Sequence, residues 1–186
     1  MEVNKRLNKR GFTLIELLAV IVILAILMTL AITSMSGVIS NAKKDTYITT
    51  AQQYVNSVRF KFINGDYATM PGAGGCIAIK ANTIELESGK NKSPFDKVLD
   101  DSLSFIVIAN NGTLTDPKYE YFVQMFDTDN NGFVLKEENA LSKSDVLVKN
   151  NTTVQSYPTV TGSTFTPSSL TLTGGTATSC KVEAVY

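Results

Sequence analysis

Residues 10–16 read RGFTLIE, and this stretch joins a basic leader to a long apolar run. Residues 1–10 contain four basic residues and one acidic residue: Lys5, Arg6, Lys9, Arg10 and Glu2. Residues 17–32 carry no charge, and Thr29 is their only polar residue. The run is therefore apolar enough to partition into a bilayer, with Glu16 as the one carboxylate at its start.

An ordinary secretory signal also places positive charge before an apolar stretch, but its cleavage site follows that stretch. A cut between Gly11 and Phe12 would instead leave the apolar run on the mature chain. The order of basic leader, Gly11, FTLIE at 12–16 and apolar run resembles the class III signal of type IV prepilins and pseudopilins. This resemblance implies that a membrane prepilin peptidase cleaves after Gly11 and N-methylates Phe12. It also implies that the subunits stack into a helical filament through their hydrophobic helices.

Glu16 needs a partner or a place near the membrane surface. A carboxylate in a membrane helix costs about 2.5 to 3.5 kcal/mol if it reaches the bilayer core. If Phe12 becomes the N-terminus, its amine is a cation at the same depth as Glu16. In a staggered stack, the amine of one subunit then meets the acid of the next and neutralises it. The alternative is that Glu16 reaches the interface beside a lone membrane anchor.

Apolar residues continue beyond the run at helical spacing. They recur in steps of three and four at Ile48, Ala51, Val55, Val58 and Phe62. This stripe predicts an amphipathic helix that stops at Asn64-Gly65. A helix over residues 12–63 spans roughly 78 Å, far more than a bilayer is thick, and Gly37 is the expected point of bending or local melting.

The sequence predicts four segments. They are a leader peptide at 1–11, a transmembrane or filament-core half of the helix at 12–36, an amphipathic half at 37–64, and a globular head at 65–186 on which the amphipathic half packs. A plain single-pass anchor followed by an unrelated amphipathic helix is the alternative.

The head shows strand patterns. Residues 65–75 contain Pro71 and several glycines and predict a loop. Strands are predicted at 103–109, 119–126 and 133–136, whereas 76–79 and 83–87 fit either a strand or a helical turn. An antiparallel meander needs its apolar face covered, and the helix stripe is the available cover. The expected fold is α+β, with a long N-terminal α-helix of about residues 12–63 packed against a small antiparallel β-sheet head. The resemblance to pilins implies the same fold.

The composition changes sharply between residues 150 and 180. Fifteen of the 29 residues from 151 to 179 are Ser or Thr, and none is charged. A disordered linker or glycosylated stalk has this composition. The other interpretation is a surface loop fastened at its far end, in which Val160, Phe165, Leu170 and Leu172 supply inward positions of irregular strands.

The chain contains two cysteines, Cys76 and Cys180. In an exported head they should form a disulfide, because that compartment is oxidising. The resemblance to pilins implies such a bridge at the C-terminal region, where it would fasten the Ser/Thr-rich loop to the head. The alternative is two buried free thiols.

One segment matches a metal-binding pattern. Residues 127–138 read DTDNNGFVLKEE, which matches a calcium loop with oxygen ligands at Asp127, Asp129, Asn131 and Glu138. Some pseudopilins hold calcium in a head loop. The β-rich residues 119–126 favour a hairpin instead, in which Asn131-Gly132 is a turn and Glu138 lies too far along the outgoing strand to reach Asp127. The sequence therefore predicts either no cofactor or one Ca²⁺ ion.

Catalysis is not expected. The chain contains no histidine, the commonest general base and a frequent zinc ligand. Residues 72–75 lack the Lys-Ser/Thr pair of a phosphate loop. Basic and acidic residues balance at 17 each, and loss of residues 1–11 leaves 13 basic against 16 acidic. No specific nucleic-acid site is evident in this mildly acidic chain.

These features predict a structural subunit, a type IV pilin or pilin-like protein. The resemblance implies a single-pass cytoplasmic-membrane precursor that meets prepilin peptidase and the pilus assembly machinery. It then implies an extracellular pilus at the cell surface, whose heads serve adhesion, motility, DNA uptake or secretion. A pseudopilin of a type II secretion or competence system fits the same pattern. The alternative is a binding protein instead of a structural subunit: a monomeric membrane-anchored protein whose Ser/Thr-rich segment binds carbohydrate or a host surface.

Overall fold

The architecture is a long helix followed by a β-rich head. The computed structural model describes residues 12–84, 86, 91–148, 157–167, 170–172, 175–176 and 179–183. The chain divides into two compact units, Met1–Asn41 and Ala42–Tyr186. Helix α1 (Leu14–Asn64) begins in the first unit and ends in the second. The strands of the second unit are β1 (Cys76–Lys80), β2 (Phe105–Asn110), β3 (Tyr119–Phe126), β4 (Gly132–Glu137), β5 (Thr164–Phe165), β6 (Thr171–Leu172), β7 (Gly175–Thr176) and β8 (Cys180–Glu183). The predicted α+β class is confirmed.

Helix α1 ends where the sequence predicts. The Gly65 N–H donates to the Phe62 carbonyl at 3.2 Å, and the Asp66 N–H donates to the Lys61 carbonyl at 3.0 Å. Gly65 has φ +80°, which glycine adopts without steric cost. These two bonds form a Schellman motif, which satisfies carbonyls that the end of the helix would otherwise leave without donors. Gly37, by contrast, lies within α1, which continues through it without a break.

The strands form a six-stranded sheet in the order β4-β3-β2-β1-β8-β5, together with a separate β6–β7 pair. The meander predicted from sequence is present as antiparallel β2, β3 and β4. Residues 76–79, which fitted a strand or a turn, lie in strand β1 (Cys76–Lys80), and Ala81–Thr83 form a short 3₁₀ turn after it. Of the second ambiguous segment, residues 85 and 87 lie outside the described residues.

One face of the sheet packs on the second half of α1. Four residues of the predicted stripe are buried, namely Ala51, Val55, Val58 and Phe62. They contact apolar side chains of β1 to β4 that include Ile77, Ile79, Ile106, Ile108, Val123, Met125 and Phe133. Tyr47 and Tyr54 are also buried, although the predicted stripe omitted them. The buried face of the helix is therefore wider than the stripe of single positions, as is common for a helix on a core.

The other face of the sheet packs on the Ser/Thr-rich region. Val160, Phe165, Leu170 and Leu172 are each at least 96 % buried. They contact Ala78, Phe105, Val107 and Ala109, which are side chains that alternate with those facing the helix. Strand β2 is consequently buried along its whole length. The interpretation as a linker or stalk is wrong for these residues, while residues 149–156 lie outside the described part of the chain.

Strand β8, near the end of the chain, lies between β1 and the edge strand β5. Strand β8 pairs in parallel with β1, with Ile77 opposite Lys181, and pairs antiparallel with β5 on its other side. Cys180 forms a disulfide with Cys76 across a sequence separation of 104 residues, as predicted. The bridge therefore joins the neighbouring strands β1 and β8, which are the first and last strands of the sheet in chain order.

Replacing both cysteines by serine should lower the free energy of unfolding by up to about 4 to 5 kcal/mol, because closure of so long a loop restricts the unfolded chain. Urea unfolding of the full chain in detergent measures this loss. A reductant should destabilise the wild type and leave the double variant unchanged. Equal stability of the two proteins without reductant would contradict the prediction.

Substitution of Phe165→Ala tests whether the Ser/Thr-rich region is part of the core. The Phe165 ring lies 4.6 Å from that of Phe105, centroid to centroid, so we expect a loss of about 3 to 5 kcal/mol. Phe60→Ala is the matched control, because Phe60 is 68 % exposed and its loss should cost less than about 0.5 kcal/mol. Similar unfolding midpoints for both variants would show that this region does not stabilise the head.

Candidate functional site

The first turn of α1 is closed by Thr13 and Glu16. The Thr13 backbone N–H and its hydroxyl each donate to Glu16 Oε2 at 2.8 Å. In return, the Glu16 N–H donates to Thr13 Oγ1 at 3.4 Å. These reciprocal bonds form a capping box, which satisfies N–H groups that a helix start leaves without acceptors.

The capping box gives Glu16 a role within its own chain. A carboxylate in the first turn also faces the positive end of the helix dipole, which favours its charged form there. The sequence signal for this role is Thr13-x-x-Glu16 directly before an apolar run, and it is readable without a structure. The roles expected of Glu16 from the sequence involved membrane depth and a partner subunit, and did not include the capping box.

The predicted cleavage site lies directly before this turn. Phe12 is the first described residue; it precedes the helix and is 90 % exposed. Gly11 lies outside the described residues, so cleavage after it and methylation of Phe12 stay predictions.

The run that follows is an exposed apolar surface. All large apolar side chains from Phe12 to Ile39 are exposed. The helix contains an 18-residue window of mean hydropathy 2.9, so by length and composition it is able to cross a membrane. Exposed apolar surface of this extent marks a region that contacts lipid or another protein.

The predicted calcium ligands lie around the β3–β4 connection, which we call the acidic turn (residues 127–131). Asp127 is buried and accepts several hydrogen bonds. Its Oδ1 accepts from the Asp129 N–H at 3.0 Å, from the Asn131 N–H at 2.9 Å and from Asn131 Nδ2 at 3.1 Å. Its Oδ2 accepts from Asn131 Nδ2 at 3.0 Å and from the Ser93 hydroxyl at 2.7 Å. Asp127 therefore acts as the acceptor that organises the turn.

The other two predicted ligands make ion pairs. Asp129 Oδ2 lies 3.3 Å from Lys97 Nζ. Glu138 Oε2 lies 2.5 Å from Arg59 Nη2 on α1. The six residues of β4 separate Glu138 from the turn, a distance of roughly 20 Å along the strand, whereas calcium ligands must lie within about 2.6 Å of one ion.

The structure thus adopts the hairpin alternative. It brings Asp127 and Asn131 together and holds Glu138 elsewhere, so the four residues do not fit a calcium site. Among the described residues, no group of three or more Asp, Glu, Cys or His side chains is arranged to hold a metal. Gly132 has φ +155°, and a Cβ there would collide with the Met125 carbonyl. The glycine of the pattern therefore serves the close approach of the two strands.

Tyr47 connects α1 to the acidic turn. Its hydroxyl donates to the Asn131 carbonyl at 3.2 Å. Burial raises the pKa of Tyr47, and the nearby Asp127 carboxylate raises it further, so the hydroxyl stays protonated and remains a donor. The sequence did not predict the roles of Tyr47 and Ser93. Their hydrogen bonds to the acidic turn join positions 84 and 34 residues apart, respectively, and no local pattern indicates them.

A family model described as the prokaryotic N-terminal methylation motif matches residues 6–32. The match covers part of the leader, the Gly11–Phe12 junction, the Thr13–Glu16 turn and the apolar run. No curated protein and no solved structure matches the chain. The helix packed on a mostly antiparallel sheet is consistent with a pilin fold, and the motif points to a structural subunit rather than an enzyme. The chain therefore carries the class III signal of the type IV pilin and pseudopilin family.

Proposed function

We propose that the protein is a structural subunit of a type IV pilus or pilus-like filament. Prepilin peptidase removes residues 1–11 and methylates Phe12, and the mature chains assemble through residues 12–36. One observation carries this proposal: the methylation motif at 6–32 leads directly into a helix whose large apolar side chains are all exposed up to Ile39.

Before assembly, the apolar half of α1 crosses the cytoplasmic membrane once. The four basic residues of the leader keep that end on the cytoplasmic side, because positive charge favours this orientation. The head is then outside, where cysteines oxidise. The disulfide between Cys76 and Cys180 supports this placement.

During assembly, the apolar half of α1 exchanges lipid contacts for contacts with the same helix of other subunits. Close packing then supplies the association energy, since lipid tails are as apolar as leucine side chains. Few directional contacts are available along residues 17–32, where Thr29 is the only polar side chain and bonds back to the Ala25 and Ile26 carbonyls. Axial register therefore depends on the polar groups at the start of the helix.

The pairing of Phe12 and Glu16 supplies that register. Of the two carboxylate oxygens of Glu16, Thr13 donates only to Oε2, and a carboxylate accepts about four hydrogen bonds. Glu16 can therefore cap its own helix and also accept from the Phe12 amine of a neighbouring subunit. As hydrocarbon closes round the pair, both charges are neutralised, and a shifted register would leave each one buried alone.

The head is displayed along the filament for adhesion, motility, DNA uptake or secretion, in a long pilus or in a pseudopilus of a secretion or competence system. The described part of the Ser/Thr-rich region supports a displayed head over a stalk, because its apolar side chains pack on the sheet while hydroxyl residues such as Thr161, Ser163 and Thr166 are exposed.

Intact mass and N-terminal sequencing of the protein from its native host test the processing. We expect a chain that begins at Phe12, carries one added methyl group and lacks the two thiol hydrogens lost to the bridge. A chain that still begins at Met1, or that is cut beyond Ser34, would remove the filament proposal. A monomeric membrane-anchored binding protein would then be the better account.

Substitution of Glu16→Gln tests the assembly. Loss of the charge leaves the neighbouring amine buried without its partner, which costs about 3 to 5 kcal/mol, so filaments recovered by shearing cells should fall at least tenfold. The membrane fraction should keep the processed subunit. Asp116→Asn, in the exposed β2–β3 loop, is the control and should shear normally. Normal filament yield from Glu16→Gln would overturn the pairing, and wild-type protein that stays with the membrane on shearing would overturn assembly itself.

A further inference from the structure

The acidic turn is held against a second segment of the head, residues 91–99. The Thr128 N–H donates to the Val98 carbonyl at 2.9 Å, and the Asp100 N–H donates to the Phe126 carbonyl at 2.8 Å. Leu99 and Asp127 also form an isolated antiparallel bridge. The 91–99 segment therefore lies along the end of β3 in a fixed register with the acidic turn.

This register places two side chains of the segment on the two carboxylates of the turn. The Ser93 hydroxyl donates to Asp127 Oδ2 at 2.7 Å, and both residues are buried. Lys97 Nζ lies 3.3 Å from Asp129 Oδ2. The Ser93 N–H donates to the Lys97 carbonyl at 2.7 Å, so a tight turn within the segment fixes the spacing of these two groups.

The other side of the segment packs on α1. The Phe95 ring lies 6.2 Å from the Tyr47 ring, and Lys43 Nζ lies 5.3 Å from the Phe95 centroid. Tyr47 in turn donates to the carbonyl of Asn131 in the acidic turn. Helix, segment and turn thus contact one another pairwise at one end of the core.

A turn with two carboxylates two positions apart needs positive charge or donors nearby. In the calcium loop that its sequence resembles, the metal ion supplies the positive charge. We propose that in this protein the 91–99 segment supplies a positive charge and a hydrogen-bond donor instead, with Lys97 as a tethered cation and Ser93 as the buried donor. The acidic turn then links α1 to the sheet without a metal ion, and its match to the calcium pattern reflects turn geometry.

Thermal unfolding of the full chain in detergent, followed by calorimetry, tests this proposal. The wild-type Tm should be the same in EDTA and in millimolar calcium. Lys97→Met should lower the Tm by about 1 to 4 °C, since the pair is partly exposed. Lys97→Arg should restore most of this loss. The matched control is Lys92→Met in the same segment, whose pair with the exposed Asp96 is solvated and whose loss should shift the Tm by less than about 1 °C.

Two results would overturn the proposal. A wild-type Tm that rises by several degrees with calcium and falls with EDTA would show that a metal ion, and not Lys97, neutralises the turn. Equal Tm values for Lys97→Met and Lys92→Met would show that the Lys97 charge is not used. A salt titration separates charge from packing, because molar salt should narrow the gap between wild type and Lys97→Met. A gap that salt does not change would assign the effect to the lysine stem, against the proposal.

Discussion

A sheet with two apolar faces must have both faces covered, and the head depends on this constraint. The side chains of β2 alternate between the faces and are buried on both. Helix α1 covers one face through residues such as Val55 and Phe62, and the Ser/Thr-rich region covers the other through Phe165 and Leu170. Loss of either cover would expose half of the apolar side chains of the sheet to water. The disulfide between Cys76 and Cys180 links the chain just after the second cover to the first strand of the sheet.

The apolar half of α1 raises the opposite problem, because its large apolar side chains are exposed in the described part of the chain. Its side chains are exposed from Phe12 to Ile39, so it requires lipid or other subunits around it. Glu16 is placed where this surface begins, and its capping bonds with Thr13 satisfy the helix start before any partner arrives. One residue can therefore serve helix formation in the membrane and, as we propose, subunit register in a filament. In the proposed subunit, the second half of α1 is buried against its own head, and the first half becomes buried against other subunits on assembly.

The acidic turn shows how residues that match one sequence pattern need not come together in the fold. Asp127, Asn131 and Gly132 do have special roles, as hydrogen-bond acceptor, donor and site of close strand approach. Glu138 completes the pattern only in sequence, because an extended strand carries it away from the turn and towards Arg59. The pattern could not reveal Ser93 or Lys97, whose contacts with the turn depend on the docking of the 91–99 segment.

The sequence by itself determined the processing motif, the extent of α1, its end at Gly65, the meander of β2 to β4 and the pairing of Cys76 with Cys180. The first four rest on local signals, namely charge order, helical or strand period and turn chemistry, and the disulfide follows from the presence of only two cysteines in the chain. Only the tertiary structure decided that β8 pairs in parallel with β1, that the Ser/Thr-rich region forms a second layer, and that Tyr47 and Ser93 hold the acidic turn. The physical reason is that these contacts join residues far apart in the chain. Their energy comes from surfaces that become complementary only after each local element has formed.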